Sequence, residues 1–203
     1  MAVSQTMNFP LNAPLILASS SPRRRQLLTE HGYVFEVEPA EVIEIAPPHL
    51  TPAETVLYNA RLKASAVAAG RPGRWVLGVD TLVAFEGRVF GKPADMAVAE
   101  AMLDELNGGT HAVFSGVWLV TAAGASHGFV EVTHVHFRTL SAEHRRAYLR
   151  RIGPLDKAGA YAAQDDGGEL IERVEGSLSN VIGLPMESLR KAISRLAQPS
   201  LAD

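Results

Sequence analysis

Segments with the two-residue period of strands alternate with segments of helical period along this 203-residue chain. That alternation favours a layered α/β domain over a helical bundle or an all-strand sandwich. Leu15-Ile16-Leu17-Ala18 is a short apolar run closed by Ser19-Ser20-Ser21-Pro22. A helix is expected there, with Ser21 as N-cap, Pro22 at the first helical position and Gly32 past the end. Tyr33 to Val37 has strand character. Thr51-Pro52-Ala53-Glu54 has capping-box spacing, and apolar residues at 53, 56, 57, 60, 64, 67 and 68 give the following helix its stripe. Trp75 to Phe85 is a long strand, turned by Glu86-Gly87 into Arg88-Val89-Phe90. Asp95 caps a helix with its stripe at Ala99, Met102, Leu103 and Leu106, stopped by Asn107-Gly108-Gly109. Strands at about 111–121 and 127–138 form a hairpin around Ala123-Gly124-Ala125. Ser141 caps a helix running to about Ile152, Glu169 to Val174 is a strand, and Pro185 starts a last helix with Met186, Leu189, Ile193 and Leu196 inward. Residues 153–168 show little regular pattern, and long irregular stretches are often functional.

Composition narrows the function. With no cysteine, the chain has no disulfide, no cysteine nucleophile and no thiolate metal site. A net charge of −3 argues against a protein that coats nucleic acid. Apolar runs such as Val117 to Val120 fall far short of the ~18 residues of a membrane span. Met1 to Pro14 lacks the basic and apolar regions of a signal peptide. The expectation is a cytoplasmic protein with neither a membrane nor a stable nucleic-acid partner.

Four positions invite chemistry. Ser19-Ser20-Ser21-Pro22-Arg23-Arg24-Arg25 sits at a strand-to-helix junction, where free backbone N–H groups and three arginines suit a phosphate chain. A capped helix with solvated arginines fits equally well. Asp80 follows Gly78 on one face of its strand, leaving a gap where a ligand could approach. Such a carboxylate could serve as a general base or a Mg²⁺ ligand, or simply stand at an exposed strand end. Lys63 interrupts an apolar helical stripe; snorkelling is the usual explanation, and a cleft-facing ammonium is the other. Gly91-Lys92-Pro93 is no P-loop, yet its lysine could meet a phosphate as a point charge. His134 and His136 lack a third ligand at a telling spacing, and Gly176-Ser177-Leu178-Ser179-Asn180 is no nucleophile elbow. Glu36, Glu38, Glu41 and Glu44 form an acidic run, mostly solvated, of which one could hold a hard cation.

These residues sum to a metal-dependent site for a phosphorylated small molecule. Beyond that, Leu15-Ile-Leu-Ala-Ser-Ser-Ser-Pro-Arg-Arg-Arg-Gln-Leu-Leu28 resembles the opening signature of the Maf family of nucleoside triphosphate pyrophosphatases. The resemblance continues through Ala60-Arg-Leu-Lys-Ala64, Gly78-Val-Asp-Thr81, Gly91-Lys-Pro93, Pro154-Leu-Asp-Lys-Ala-Gly-Ala-Tyr161 and Glu172-Arg-Val-Glu-Gly-Ser-Leu-Ser-Asn-Val-Ile-Gly-Leu-Pro185. It implies a mixed, bent sheet flanked by helices, with two lobes around a central cleft. Residues 15–197 would form one Maf-like domain and 1–14 a disordered extension. It further implies hydrolysis of a nucleoside triphosphate to the monophosphate and pyrophosphate with a divalent cation, Mg²⁺ or Mn²⁺. Asp80 matches the family's proton acceptor. Ser19, Arg23, Arg24, Lys63 and Lys92 match its phosphate and substrate contacts, and Glu44 an acidic residue near the metal.

Arg23, Thr81 and Gln164 match the branch that resembles dTTP/UTP pyrophosphatases. The branch acting on 7-methyl-GTP typically carries Trp, Gln and Glu there. A neutral Gln amide can pair with a pyrimidine's imide edge through one donor and one acceptor. The family's usual Tyr-Gly-Ile-Gln-Gly appears here as Tyr161-Ala162-Ala163-Gln164-Asp165, followed by Asp166. Alanine for glycine limits backbone freedom, and the extra acids could repel a triphosphate. A homodimer is expected from the family alone. A 7-methyl-GTP enzyme and a non-catalytic regulator of cell division are the competing readings, the second disfavoured by the presence of both Asp80 and Lys92.

Overall fold

A computed structural model describes residues 13–47 and 49–198, so most of the expected N-terminal extension lies outside the described residues. Its first half is parallel. β1 (Leu15–Leu17) lies between β2 (Phe35–Val37) and β3 (Val76–Phe85), parallel to both. Parallel neighbours need crossovers, supplied by α1 (Pro22–Glu30) and α2 (Pro52–Ala69). From β3 onward every pairing is antiparallel. β4 (Arg88–Phe90) folds back on β3, and β5 (Thr110–Val120), β6 (Ser126–Phe137) and β7 (Ile171–Glu175) follow in order. The order across the sheet is β2-β1-β3-β5-β6-β7, with β4 beside β3. α3 (Met96–Leu106), α4 (Ala142–Ile152), α5 (Leu178–Ile182) and α6 (Met186–Ala197) complete the layers.

Strand alternation decides what each face carries. Leu77, Val79, Val117 and Leu119 point to one face and pack with Leu27, Leu28, Leu189 and Ile193 of α1 and α6. Farther along that face, Val83, Val113, Val135 and Phe137 pack with Leu103 and Leu106 of α3 and Tyr148 and Leu149 of α4. Between these two cores the same alternation places Thr81 and Ser115, register partners whose hydroxyls lie 2.9 Å apart. A polar row thus divides two apolar lobes. The opposite face takes α2, which sits directly on Gly78 and Gly116.

One edge is left open. β1 accompanies β3 only as far as Leu77, and β4 begins its pairing at Val83. Residues 78–82 of β3 therefore have a partner strand on the β5 side alone, and the cleft forms at this gap.

Local signals mostly decide the ends. Thr51 and Glu54 close a reciprocal capping box, while Asp95 and Ser141 cap α3 and α4 through their side chains. Ser21 occupies the N-cap position of α1 but its side chain makes no capping bond. Instead the Ser21 N–H donates to the Ser19 hydroxyl at 3.3 Å. α5 had no periodic signal: five residues are too few for a stripe, and only Ser177, capping the N–H of Asn180, marks its start. No helix among the described residues is long and apolar enough to cross a membrane.

His111 lies in the second core, 1% exposed, with Nε2 2.9 Å from the Tyr161 hydroxyl and the Phe137 ring edge-on against it. Burial pushes its pKa down to about 3. A base whose folded pKa falls below its unfolded value of about 6.5 gives stability that is complete above 6.5 and is lost as pH falls towards 3. Over that window it removes about 1.4 kcal/mol per pH unit. In urea melts, the parent protein is expected to weaken more steeply between pH 6.5 and 5 than His111→Phe. Equal slopes would show that His111 does not titrate on unfolding.

Candidate active site

The open edge of β3 faces a cleft of about 510 Å³ whose walls come from both lobes. Asp80 stands in it, 7% exposed, on the face that α2 covers. The gap that Gly78 leaves beside it is not ligand space: the backbone of α2 at Ala60 and Ala64 occupies it. Because α2 comes this close, its side chains reach the carboxylate. Lys63 Nζ lies 2.8 Å from Asp80 Oδ1 and 3.3 Å from the Val79 carbonyl, and Asn59 donates to Oδ2 at 3.1 Å. Lys63 is therefore a cleft lysine and not a snorkelling one.

Lys63 Nζ also meets Glu44 at 2.8 Å, so one ammonium joins a buried carboxylate to a half-exposed one. Partial burial raises the Glu44 carboxyl, but the hydrogen bond and charge of Lys63 outweigh it and hold Glu44 below its ordinary value. The rest of the acidic run turns outward, with Glu36 paired to Arg74 and Glu38 to Arg71 at the surface.

Across the cleft the β1–α1 junction supplies cations. Arg24 is buried; it donates to the Ser19 hydroxyl at 2.8 Å, the Gly183 carbonyl at 3.0 Å and the Thr81 hydroxyl at 3.1 Å. Desolvation lowers its pKa to about 10, which leaves it charged at neutral pH. Arg23 reaches the other lobe, where it meets the Asp156 carboxylate at 2.6 Å and the Asp156 carbonyl at 2.9 Å. Asp156 also accepts from Lys157 at 2.6 Å. Burial raises this carboxyl, and its bonds to Lys157 and Arg23 more than offset that, leaving it below the usual carboxylate range. Lys92 lines the cleft from an exposed loop that is pinned where Gly159 N–H donates to the Gly91 carbonyl at 3.1 Å.

The cleft thus gathers Ser19, Arg23, Arg24, Glu44, Lys63, Asp80, Thr81 and Lys92 from segments far apart in the chain. Gln164 stands apart from this lining: it is exposed, and its amide donates to Gln26 of α1 at 3.2 Å. Asn59, Asp156 and Lys157 join the lining without having been singled out in the sequence. His134 and His136 belong to no group of three or more His, Asp or Glu side chains able to hold a metal, and none occurs among the described residues. Glu44 and Asp80 alone are too few for an all-protein cage, but two carboxylates suit a hard cation that takes its other oxygens from substrate phosphates and water.

A buried carboxylate facing the cations of a strand-to-helix junction is chemistry for a polyphosphate. The family model described as Maf-like protein matches residues 14–196 of this chain. The chain belongs to the Maf-like family. It is 45% identical over 181 residues to the dTTP/UTP pyrophosphatase of Moorella thermoacetica, covering 89% of this chain and 93% of that one. It is 44% identical over 187 residues to the dTTP/UTP pyrophosphatase of Myxococcus xanthus, covering 91% and 93%. Among solved structures, the Ham1 protein of Staphylococcus aureus aligns with a TM-score of 0.52 and 14% identity, covering 91% of this chain and 100% of that one. That likeness is one of fold: a mixed sheet flanked by helices. In this Maf-like chain the segments carrying the family motifs are the ones that line the cleft; the exception is the stretch around Gln164.

Proposed function

We propose that this protein hydrolyses dTTP and UTP to the nucleoside monophosphate and pyrophosphate, with Asp80 as the general base. The observation that carries this reading is the Asp80 carboxylate, held at 2.8 Å by Lys63 and 3.1 Å by Asn59 in a cleft that Arg23, Arg24 and Lys92 also line. Relatives bearing the name dTTP/UTP pyrophosphatase, 40–45% identical over about nine-tenths of the chain, support the substrate class.

In this reading the triphosphate lies over the Ser19–Arg25 junction. Arg23, Arg24, Lys63 and Lys92 offset charge on its oxygens. Asp80 takes a proton from a water molecule whose oxygen bonds to the α-phosphorus. The bond from that phosphorus to the α–β bridging oxygen breaks, and pyrophosphate leaves with the electron pair. Glu44 and Asp80 would hold a divalent cation, Mg²⁺ or Mn²⁺, which supplies further neutralisation of the phosphate oxygens when bound. Arg23 must give up part of its grip on Asp156 to serve the substrate, because its guanidinium is spent there in the free cleft.

The test is pyrophosphate release from UTP, dTTP, CTP, ATP, GTP and 7-methyl-GTP, each with Mg²⁺ and with Mn²⁺. Release fastest from UTP and dTTP is expected. Preference for 7-methyl-GTP would keep the chemistry and overturn the pyrimidine assignment, and no release from any triphosphate would favour a non-catalytic regulator. Base selection is assigned to Arg23, Thr81 and Gln164. Gln164→Glu is accordingly expected to lower the preference for UTP over 7-methyl-GTP by about tenfold, on the order of one lost base-edge hydrogen bond. An unchanged preference would mean that Gln164 stays on Gln26, away from the base.

A further inference from the structure

We infer that Asn59 is a positioning residue that ties the Glu44 loop to the Asp80 carboxylate, a role resting on the reading of Asp80 as general base. Residues 38–47 carry no helix or strand, yet this segment delivers Glu44 to Lys63 at 2.8 Å. One buried side-chain amide holds its backbone. Ile45 N–H donates to Asn59 Oδ1 at 3.0 Å, and Asn59 Nδ2 donates back to the Ile45 carbonyl at 2.9 Å. The amide therefore pairs with a backbone residue in both directions, as a neighbouring strand would. Its remaining N–H goes to Asp80 Oδ2 at 3.1 Å. Asn59 is 3% exposed, so water does not compete for these bonds.

The residue type follows from this arrangement. A planar amide offers two donors and an acceptor in fixed directions, and all three are needed here. Aspartate keeps the shape but lacks both donors, and its charge would face Asp80. Leucine keeps the volume and makes none of the bonds. Asn59 sits one turn before Lys63 on α2, so one helix face fixes both the carboxylate and the loop that brings the second acid. Partners that orient a functional group commonly matter by 10–100-fold although they never touch the reacting atoms.

Asn59→Leu and Asn59→Asp, each compared with the parent protein, test this in two independent ways. The first is steady-state hydrolysis of UTP: kcat is expected to fall by about 10–100-fold while KM moves by less than about threefold. The second is limited cleavage by a Glu-specific protease. Cuts after Glu41 and Glu44 are expected about 10- to 30-fold faster in Asn59→Leu, from the loss of two backbone-pairing bonds, and about fivefold faster in Asn59→Asp, which still accepts from the Ile45 N–H. An unchanged kcat in both variants, or cleavage as slow as in the parent, overturns the assignment. Because cleavage needs no substrate, a parent protein inactive on UTP would sink the functional reading while the protease arm still decides whether Asn59 holds the loop.

Discussion

Asp80→Asn is expected to lower turnover of UTP by about 10³-fold, within the 10²- to 10⁴-fold range of a positioned general base. The substitution is isosteric, so the α2 contact at Gly78 is untouched. Lys63 keeps Glu44 as a partner at 2.8 Å, and no buried charge is stranded. The variant should therefore fold, with KM changed by only a few-fold. Glu44→Gln is the comparison that gives the result meaning. Glu44 is half-exposed and its carboxylate meets Asp80 through the shared ammonium, so its neutralisation should cost less than that of Asp80. Full turnover in Asp80→Asn, or a larger loss in Glu44→Gln, would move the base from β3 to the loop.

What could be foreseen at this site follows a physical division. The β1–α1 junction was legible because its parts are adjacent: an apolar run, a serine cluster, a proline and three arginines lie within eleven residues. Asp80 was legible as a carboxylate in an apolar strand, a type that seldom sits there without a partner. The partner's identity was not legible, since Lys63 fits a snorkelling lysine as well as a cleft lysine until α2 is placed on the sheet. Asn59 gave no signal at all, because a polar residue beside an apolar stripe is ordinary in a helix. Asp156 and Lys157 lie in residues 153–168, where short 3₁₀ turns leave no period to detect. The pairing of Asp156 with Arg23 spans more than 130 residues of chain, a contact only tertiary structure creates. The same stretch explains Gln164, whose family position suggested the cleft but whose turn carries it to Gln26 instead.

Gly78→Ala is expected to be the most destabilising small substitution in the cleft region, and it reports how the site is built. Gly78 was first legible as room for a ligand; the room is filled by a helix. A β-carbon there would stand 2.1 Å from the Ala60 carbonyl oxygen and 2.7 Å from the Ala64 nitrogen, both backbone atoms of α2. Gly116, the register partner of Asp80, faces the same helix: its β-carbon would fall 2.3 Å from the Val56 carbonyl. Backbone cannot rotate away as a side chain can, so α2 must lift. Overpacking of this kind costs about 3 kcal/mol, which for a chain of this length lowers Tm by roughly 6–12 °C. The lift would also draw Lys63 and Asn59 off Asp80, and a misplacement of about 1 Å can cost on the order of 10²-fold in turnover. Gly70→Ala, at the C-terminal end of α2 with only the Val67 carbonyl at 3.8 Å and an ordinary negative φ, serves as the control and should change neither. If Gly78→Ala melted with the parent and kept its activity, α2 would have to be free to shift. The tight seating of its side chains on Asp80 would then not be what organises the site.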